Sequence, residues 1–501
     1  MRPIFSAATA ALLLGASACL ATAPSAYAGD PGPRAAAPDQ AGLPLLPLRT
    51  SAKVAHLSSH PSQVGIAGCF LPTAPLFVAS GVESIRVYDV RDGTAPRLTG
   101  VLPSLQFENE AMNCGERVTS KGVRRFALVG LDPLYVNPFD IQHVSVSGNE
   151  LLVVEVTRPS APKVVSRIRS TTSTHTVACI NRKRCDFVYS AGNDGKFSVF
   201  DLRNLARPRE VDSNPRRAGV QPFASPTAGH KWNFDAAGIG THTGFGGSSM
   251  WSLRDPARPR LITTTGVAGK GTDPRYPGWN DFIHHNSFRP NAHRFRPGAR
   301  PSFANGNVLM VTEEDYVETD CAKAGSFQTW WVKRLDGTKN AIVPLDKVEL
   351  ADLGNYPLPN GAFCSAHWFD WHPTGIVAAG FYAGGTQLLD VRNPRDIKAY
   401  GHAWGGVSQV WDAMWLPRYD ARGRQTGAKT NVVYSIDLVR GLDVLAVDVP
   451  GDGRGAVPPS GMTSSRSDSD LAAAAPAGIV GGAMLLAVAI QRARSRRTKT
   501  T

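Results

Sequence analysis

One phrase recurs along this chain and restricts what the chain can become. It reads RVYDVRDGTAPRL at Arg86–Leu98, LVVEVTRPSAPKV at Leu152–Val164 and GKFSVFDLRNLARPRE at Gly195–Glu210. It returns as SMWSLRDPARPRL at Ser249–Leu261 and QLLDVRNPRDIKA at Gln387–Ala399, with a weaker echo, DVLAVDV, at Asp443–Val449. Each copy is an apolar run, usually an acidic residue, another apolar residue, then polar residues and often proline. β-Branched and aromatic residues build a strand that packs on both faces. The acidic side chain ends it and accepts backbone N–H groups of the following turn. Proline has no N–H to donate, so the strand cannot run on.

Upstream of most copies lies a small apolar strand, mostly ending in Gly: LFVASG, FALVG, FVYSAG and IVAAG. Ahead of that comes a short segment that often begins with His. Each unit therefore reads as four strands. Unit starts fall near Ile66, Glu110, His175, His230, His285, His367 and Asp412, which makes seven. The spacing is roughly 55 residues, above the ~40–50 usual for propeller repeats, and the excess fits loops such as Asp132–Gly148 and Tyr316–Thr329. Four-stranded units repeated around an axis form a β-propeller. The expectation is an all-β, seven-bladed β-propeller over residues 63–450. Two units depart from the pattern. The fourth has Ser252 in place of the acid, and the fifth, at Thr329–Val343, lacks both acid and proline.

Phrases such as VYDVRDGTAPRL and FDLRNLARPREV resemble the LVIVD repeat family of exported propeller proteins. The resemblance covers roughly Gly65 to Pro450 and implies the fold more than an activity. More remotely, the His-led units are similar to the selenium-binding and methanethiol oxidase propeller group, with no contiguous motif in common.

The two ends of the chain carry addresses. Residues 1–28 read as a signal peptide: Arg2, an apolar stretch from Ile4 to Leu20, and Ala26-Tyr27-Ala28 before Gly29. A membrane anchor is the competing reading, and the apolar run is short for one. Residues 29–62 are rich in Pro and Ala and read as a partly ordered lead-in. Residues 451–470 read as a flexible stalk. Leu471–Ile490 carries no charge over a length of helix able to cross a membrane, and the basic tail 491–501 belongs on the cytoplasmic side. The whole then is a single-pass protein with its body outside the cell membrane. A weakly inserted tail is the alternative.

Net charge is +13, but Arg2, Arg492, Arg494, Arg496, Arg497 and Lys499 lie in the terminal segments. What remains is a mildly basic body without a stripe, and nucleic acid is not expected as a partner. A protein or cell-envelope ligand is. Outside the leader stand Cys69, Cys114, Cys179, Cys185, Cys321 and Cys364. An even count in an exported chain points to three disulfides. Cys179 and Cys185 flank a turn, which leaves Cys69–Cys114 and Cys321–Cys364 as sequential pairs; spacing alone does not decide among the possibilities.

In a propeller the first strand of every blade lines the central channel, so residues at equivalent starts converge. The candidate ligands are Glu110, His175, His230, His285 (or His284), His367 and Asp412. Imidazoles and carboxylates aimed at one axis suit copper, zinc or iron, and such a centre would make the protein a metal-dependent oxidoreductase or hydrolase. The competing account is structural: a strand-initial His bonds a neighbouring blade's carbonyl and packs its ring. Adjacent His284 and His285 cannot both face inward, since strand neighbours point to opposite faces. His372 is expected past its strand. The Trp-rich pieces, Trp330-Trp331, Trp368 to Trp371 and Trp411 to Trp415, are expected as wedges between blades, and Asn193-Asp194-Gly195 as a hairpin turn. The leading expectation is therefore a non-enzymatic binding module at the cell envelope that presents a propeller face, with the metal-dependent enzyme as the alternative.

Overall fold

The computed structural model describes residues 46–61, 65–81, 84–103, 110, 112–131, 149–192, 195–265, 279, 282–354, 363–406 and 408–451. The expected leader, stalk, 471–490 span and basic tail lie outside these residues, as do the 132–148 loop and most of the 193–195 turn. Among the described residues no helix is long and apolar enough to cross a membrane.

The repeated phrase folds the same way each time. Asp89, Asp201 and Asp390 each end the third strand of a blade, and each accepts the backbone N–H two residues on, from Arg91, Arg203 and Arg392, at 3.0 Å. The same carboxylate holds that arginine's guanidinium. The next polar residue repeats the device: Asp92, Asn204, Asp255 and Asn393 accept from Thr94, Ala206, Ala257 and Arg395. The apolar residue between them (Val90, Leu202, Val391) points inward and is buried. Two Asx turns in succession thus reverse the chain, which is why acid and amide recur at these places.

Among the described residues seven antiparallel blade sheets result, all but one consisting of four main strands in chain order, together with a two-stranded ribbon of Lys196–Phe197 and Phe223–Ala224. The inner strands are Gly65–Phe70, Asn113–Thr119, Thr176–Cys179, Gly229–Phe234, Ile283–Phe288, Phe369–Trp371 and Val410–Tyr419, numbered here as blades 1 to 7. The protein is an all-β, seven-bladed β-propeller. All seven expected unit starts fall within a few residues of these strands, including those of the two atypical units.

Blade 7 takes its outer strand from the other end of the body. Val54–His60 pairs with Gly441–Val447, and Arg49–Thr50 adds to blade 6 beside Lys398–Trp404. This corrects the reading of 29–62 as a lead-in, since part of it closes the ring. An outer strand is half exposed, so VAHLSSH carries little apolar pattern to announce it. Closure leaves no long sheet edge open between first and last blades.

The core lies between blades. Trp232, Trp330, Trp368 and Trp415 are among the largest fully buried side chains, each worth roughly 4–6 kcal/mol of transfer free energy at about 25 cal/mol per Å². Trp330 and Trp415 thus act as wedges between blades, as expected, whereas Trp368 packs against the histidines on the axis. Disulfides join Cys69–Cys114, Cys179–Cys185 and Cys321–Cys364, the sequential pairing. The first ties blade 1 to blade 2, and the last ties the Cys321 loop of blade 5 to the chain leading into blade 6.

Candidate metal centre on the propeller axis

Local irregularities aim the side chains. In blade 4 the ladder register shifts between Gly229 and Lys231, and His230 occupies the shift. In blade 5 it shifts between His284 and Ser287, around His285. A bulge carries an unpaired residue and re-aims its side chain. His175 stands one residue before its inner strand and His367 two before, while Glu110 precedes blade 2. Threonines of the preceding blade hold three of the histidine carbonyls. Thr176 Oγ1 donates to His230 O, Thr243 Oγ1 to His285 O at 2.6 Å, and Thr312 Oγ1 to His367 O at 2.5 Å. Three of the four imidazoles, His230, His285 and His367, are therefore placed by the seam between two blades.

These placements bring four Nε2 atoms around one carboxylate. Glu110 Oε1 lies 2.8 Å from His285 Nε2 and 2.7 Å from His367 Nε2. Its Oε2 touches His175 Nε2 and lies 3.8 Å from His230 Nε2. Glu314 completes the group, with oxygens 3.7 Å from His230, 3.6 Å from His285 and 3.8 Å from His367. Tyr382 Oη donates to Glu314 Oε1. Three overlapping triads, Glu110-His175-His230, Glu110-His285-His367 and His230-His285-Glu314, each keep their ligand atoms within 4.8 Å of one another. Donors around a single ion with bonds of about 2.0–2.2 Å are separated by ~3–4 Å.

The protons make the case sharper. His367 Nδ1 lies 2.8 Å from the carbonyl of Trp411 in blade 7. A carbonyl only accepts, so Nδ1 carries the hydrogen. Nε2 is then the atom turned toward Glu110, and a proton or a metal cation fits between the two. An imidazole that donates its outer N–H to a backbone carbonyl is the arrangement that orients metal ligands. For His230 and His285 no described residue bonds Nδ1. Burial pushes the His230 pKa down to about 3 and holds His285 well below its usual range. Burial opposes the charge on Glu110, but the imidazoles around it, His175 first, outweigh that and keep it ionised. Burial, aided by the Glu110 charge and opposed by His367, raises Glu314 to about 7. The result is an ionised carboxylate among buried imidazoles, with no arginine or lysine in contact among the described residues.

Glu110, His175, His230, His285 and His367 thus come together. Asp412 does not join them. It stands on the inner strand of blade 7 and feels Lys231, and burial raises it to about 7. His284 turns away, as expected for the neighbour of an inward residue, and bonds Ser248 Oγ at 2.9 Å. His372 follows its strand and bonds Thr374. Sequence reasoning missed Glu314. Its signal was an exception: the second strand of blade 5 ends in Glu313-Glu314 where LFVASG, FALVG and IVAAG end in Gly. Tyr382 and Lys231 carried no signal.

The opposite end of the axis is filled. The loop closed by Cys179–Cys185 carries Arg182, whose guanidinium donates to Phe70 O of blade 1 and to Cys114 O of blade 2. Its carbonyl accepts from Glu116 N, and Cys185 N donates back to Glu116 O. Lys429 of blade 7 pairs with Asp370 of blade 6.

No family model matches this chain, and no curated protein matches it. Among solved structures, the β-propeller domain of Cps50 (Swd1) from Myceliophteria thermophila is similar, at 10% identity and a TM-score of 0.46, over 79% of this chain and 99% of that one.

Proposed function

We propose that this chain is an exported, membrane-tethered metalloenzyme whose His175, His230, His285 and His367 hold one first-row transition ion, with Glu110 and Glu314 at its side. The observation that carries the reading is the convergence of four imidazoles on the buried carboxylates of Glu110 and Glu314, in three triads whose ligand atoms lie within 4.8 Å of one another, with His367 Nδ1 held by the Trp411 carbonyl and its Nε2 aimed at Glu110. Four imidazoles and carboxylates without thiolate suit copper, iron or zinc. When bound, such an ion supplies Lewis-acid or redox chemistry. The chain's own part is to hold the imidazoles rigidly across blade seams and to keep a proton on the Glu314–Tyr382 pair.

Export is supported by three disulfides that use every cysteine outside the leader. The anchor rests on residues 471–490, and kinship with the LVIVD repeat proteins rests on the repeated phrases. A second reading is a binding module that presents a propeller face to a protein or envelope ligand. The same disulfides and closed ring suit it, and it needs no ion. Elemental analysis of the purified protein separates the two. About one transition ion per chain, lost in His175→Ala and His367→Ala, supports the enzyme; a metal-free protein after supply of copper, iron and zinc rejects it.

A further inference from the structure

Beside the histidines the axis holds a lysine that forms no ion pair among the described residues. Lys231 follows His230 on the inner strand of blade 4. Its Nζ lies 3.4 Å from the centre of the Trp368 ring. No described residue forms an ion pair or hydrogen bond with that ammonium; Asp412 and Glu110 act on it only through space. Lys231 and Asp412, on blades 4 and 7, each keep part of their surface accessible although both stand on inner strands, whereas the histidines beside them at His230, His285 and His367 are buried. Two indoles pack on the histidines. Trp368 lies 4.1 Å from His285 and Trp411 lies 5.0 Å from His367, measured between ring centres. The Nε1 of each is buried without a partner.

A partly accessible ammonium that rests on an aromatic face, with no hydrogen-bond partner among the described residues and two unpartnered indole N–H groups near the neighbouring histidines, leaves donors without an acceptor. We propose that Lys231 anchors a substrate subsite beside the metal centre and that the group it binds is a small carboxylate monoanion. A carboxylate offers two oxygens to an ammonium and to N–H donors. The ionised carboxylate of Glu110 on the same axis disfavours a di- or trianion such as phosphate. Asp412, placed across from Lys231, is left to accept a hydrogen bond from the far end of such a ligand. The inference rests on the metal-centre reading, because the ion is what gives the bound molecule a reacting partner.

The test is calorimetric titration of the purified full-length protein with acetate and with acetamide, metal content being measured on the same samples. Acetate is expected to bind and acetamide not to. Lys231→Met, which keeps the length and removes the charge, is expected to weaken acetate at least about tenfold, the loss of one charge-assisted hydrogen bond, while retaining the ion. Asp412→Asn removes a negative charge and is expected to bind acetate at least as tightly as wild type. The subsite is overturned if metal-loaded wild type fails to bind acetate, if acetamide binds equally, if Lys231→Met binds acetate unchanged, or if Asp412→Asn weakens it. A wild type that carries no ion yet binds acetate through Lys231 keeps the subsite and rejects the metal centre.

Discussion

The two ends of the propeller axis are built from the same seven inner strands and end in opposite conditions. Where the strands end, polar groups close on one another. Arg182 satisfies two backbone carbonyls of blades 1 and 2, Lys429 meets Asp370, and Tyr419 Oη donates to Leu71 O. Where the strands begin, titratable groups converge. Four imidazoles surround an ionised carboxylate, one is locked with its Nε2 toward that carboxylate, and two more have a ring nitrogen without a partner among the described residues. An unpaired buried polar atom costs about 1–3 kcal/mol, and the Arg182 end carries some as well, Glu116 Oε2 and Trp415 Nε1 among them. What sets the two ends apart is the cluster of imidazoles and carboxylates at one and the Arg182 plug at the other.

The strongest way to break this contrast is to remove ligands. His285→Ala with His367→Ala should take the ion from about one per chain to less than a tenth, measured by elemental analysis, while Arg182→Ala leaves it stoichiometric. If both variants lose metal equally, the ends do not differ in kind. Arg182→Ala should instead lower stability by about 2–4 kcal/mol, read from the denaturant midpoint, since it strands two carbonyls and removes the plug. Thr312→Val tests the seam that places His367: with its carbonyl released, ion affinity should fall about tenfold, in the range for loss of an outer-shell partner. Stability should fall by about 1 kcal/mol.

The smallest effect belongs to neither end. Hydrogen bonds from Arg91 and Arg203, against opposing burial, lower the Asp89 and Asp201 carboxyls to about 2. A depressed folded-state pKa stabilises above the unfolded value, near 3.9, and that gain is lost as pH falls from about 4 toward 2. Urea unfolding at pH 5 and pH 3 should show the loss, and Asp201→Asn should reduce it. The ends of the axis take no part, so metal content at pH 5 should be the same in that variant.

Much of this was legible from local chemistry. Asp201 followed by Leu202, Arg203 and Asn204 must turn after a strand, wherever it stands, because the hydrogen bonds that make the turn lie within the phrase itself. His175 and His367 were found because they open their units, and the cysteine pairs because each bridges neighbours along the chain. Val54–His60 was not found, because its partner is nearly four hundred residues away and its own pattern is that of a half-exposed strand. Asp412 was grouped with the histidines by its place in the repeat, yet blade 7 sets it beside Lys231. Glu314 was overlooked because it ends a second strand rather than beginning a first one.

Repetition and turn chemistry, then, decide that seven four-stranded units form, since both are written in contacts a few residues apart. Which side chains meet on the axis was decided by the closed ring. One-residue register shifts at His230 and His285 turn side chains that strand alternation alone cannot place, and the carbonyl that orients His367 belongs to another blade. Such contacts exist only after distant segments have packed, and no short stretch of residues encodes them.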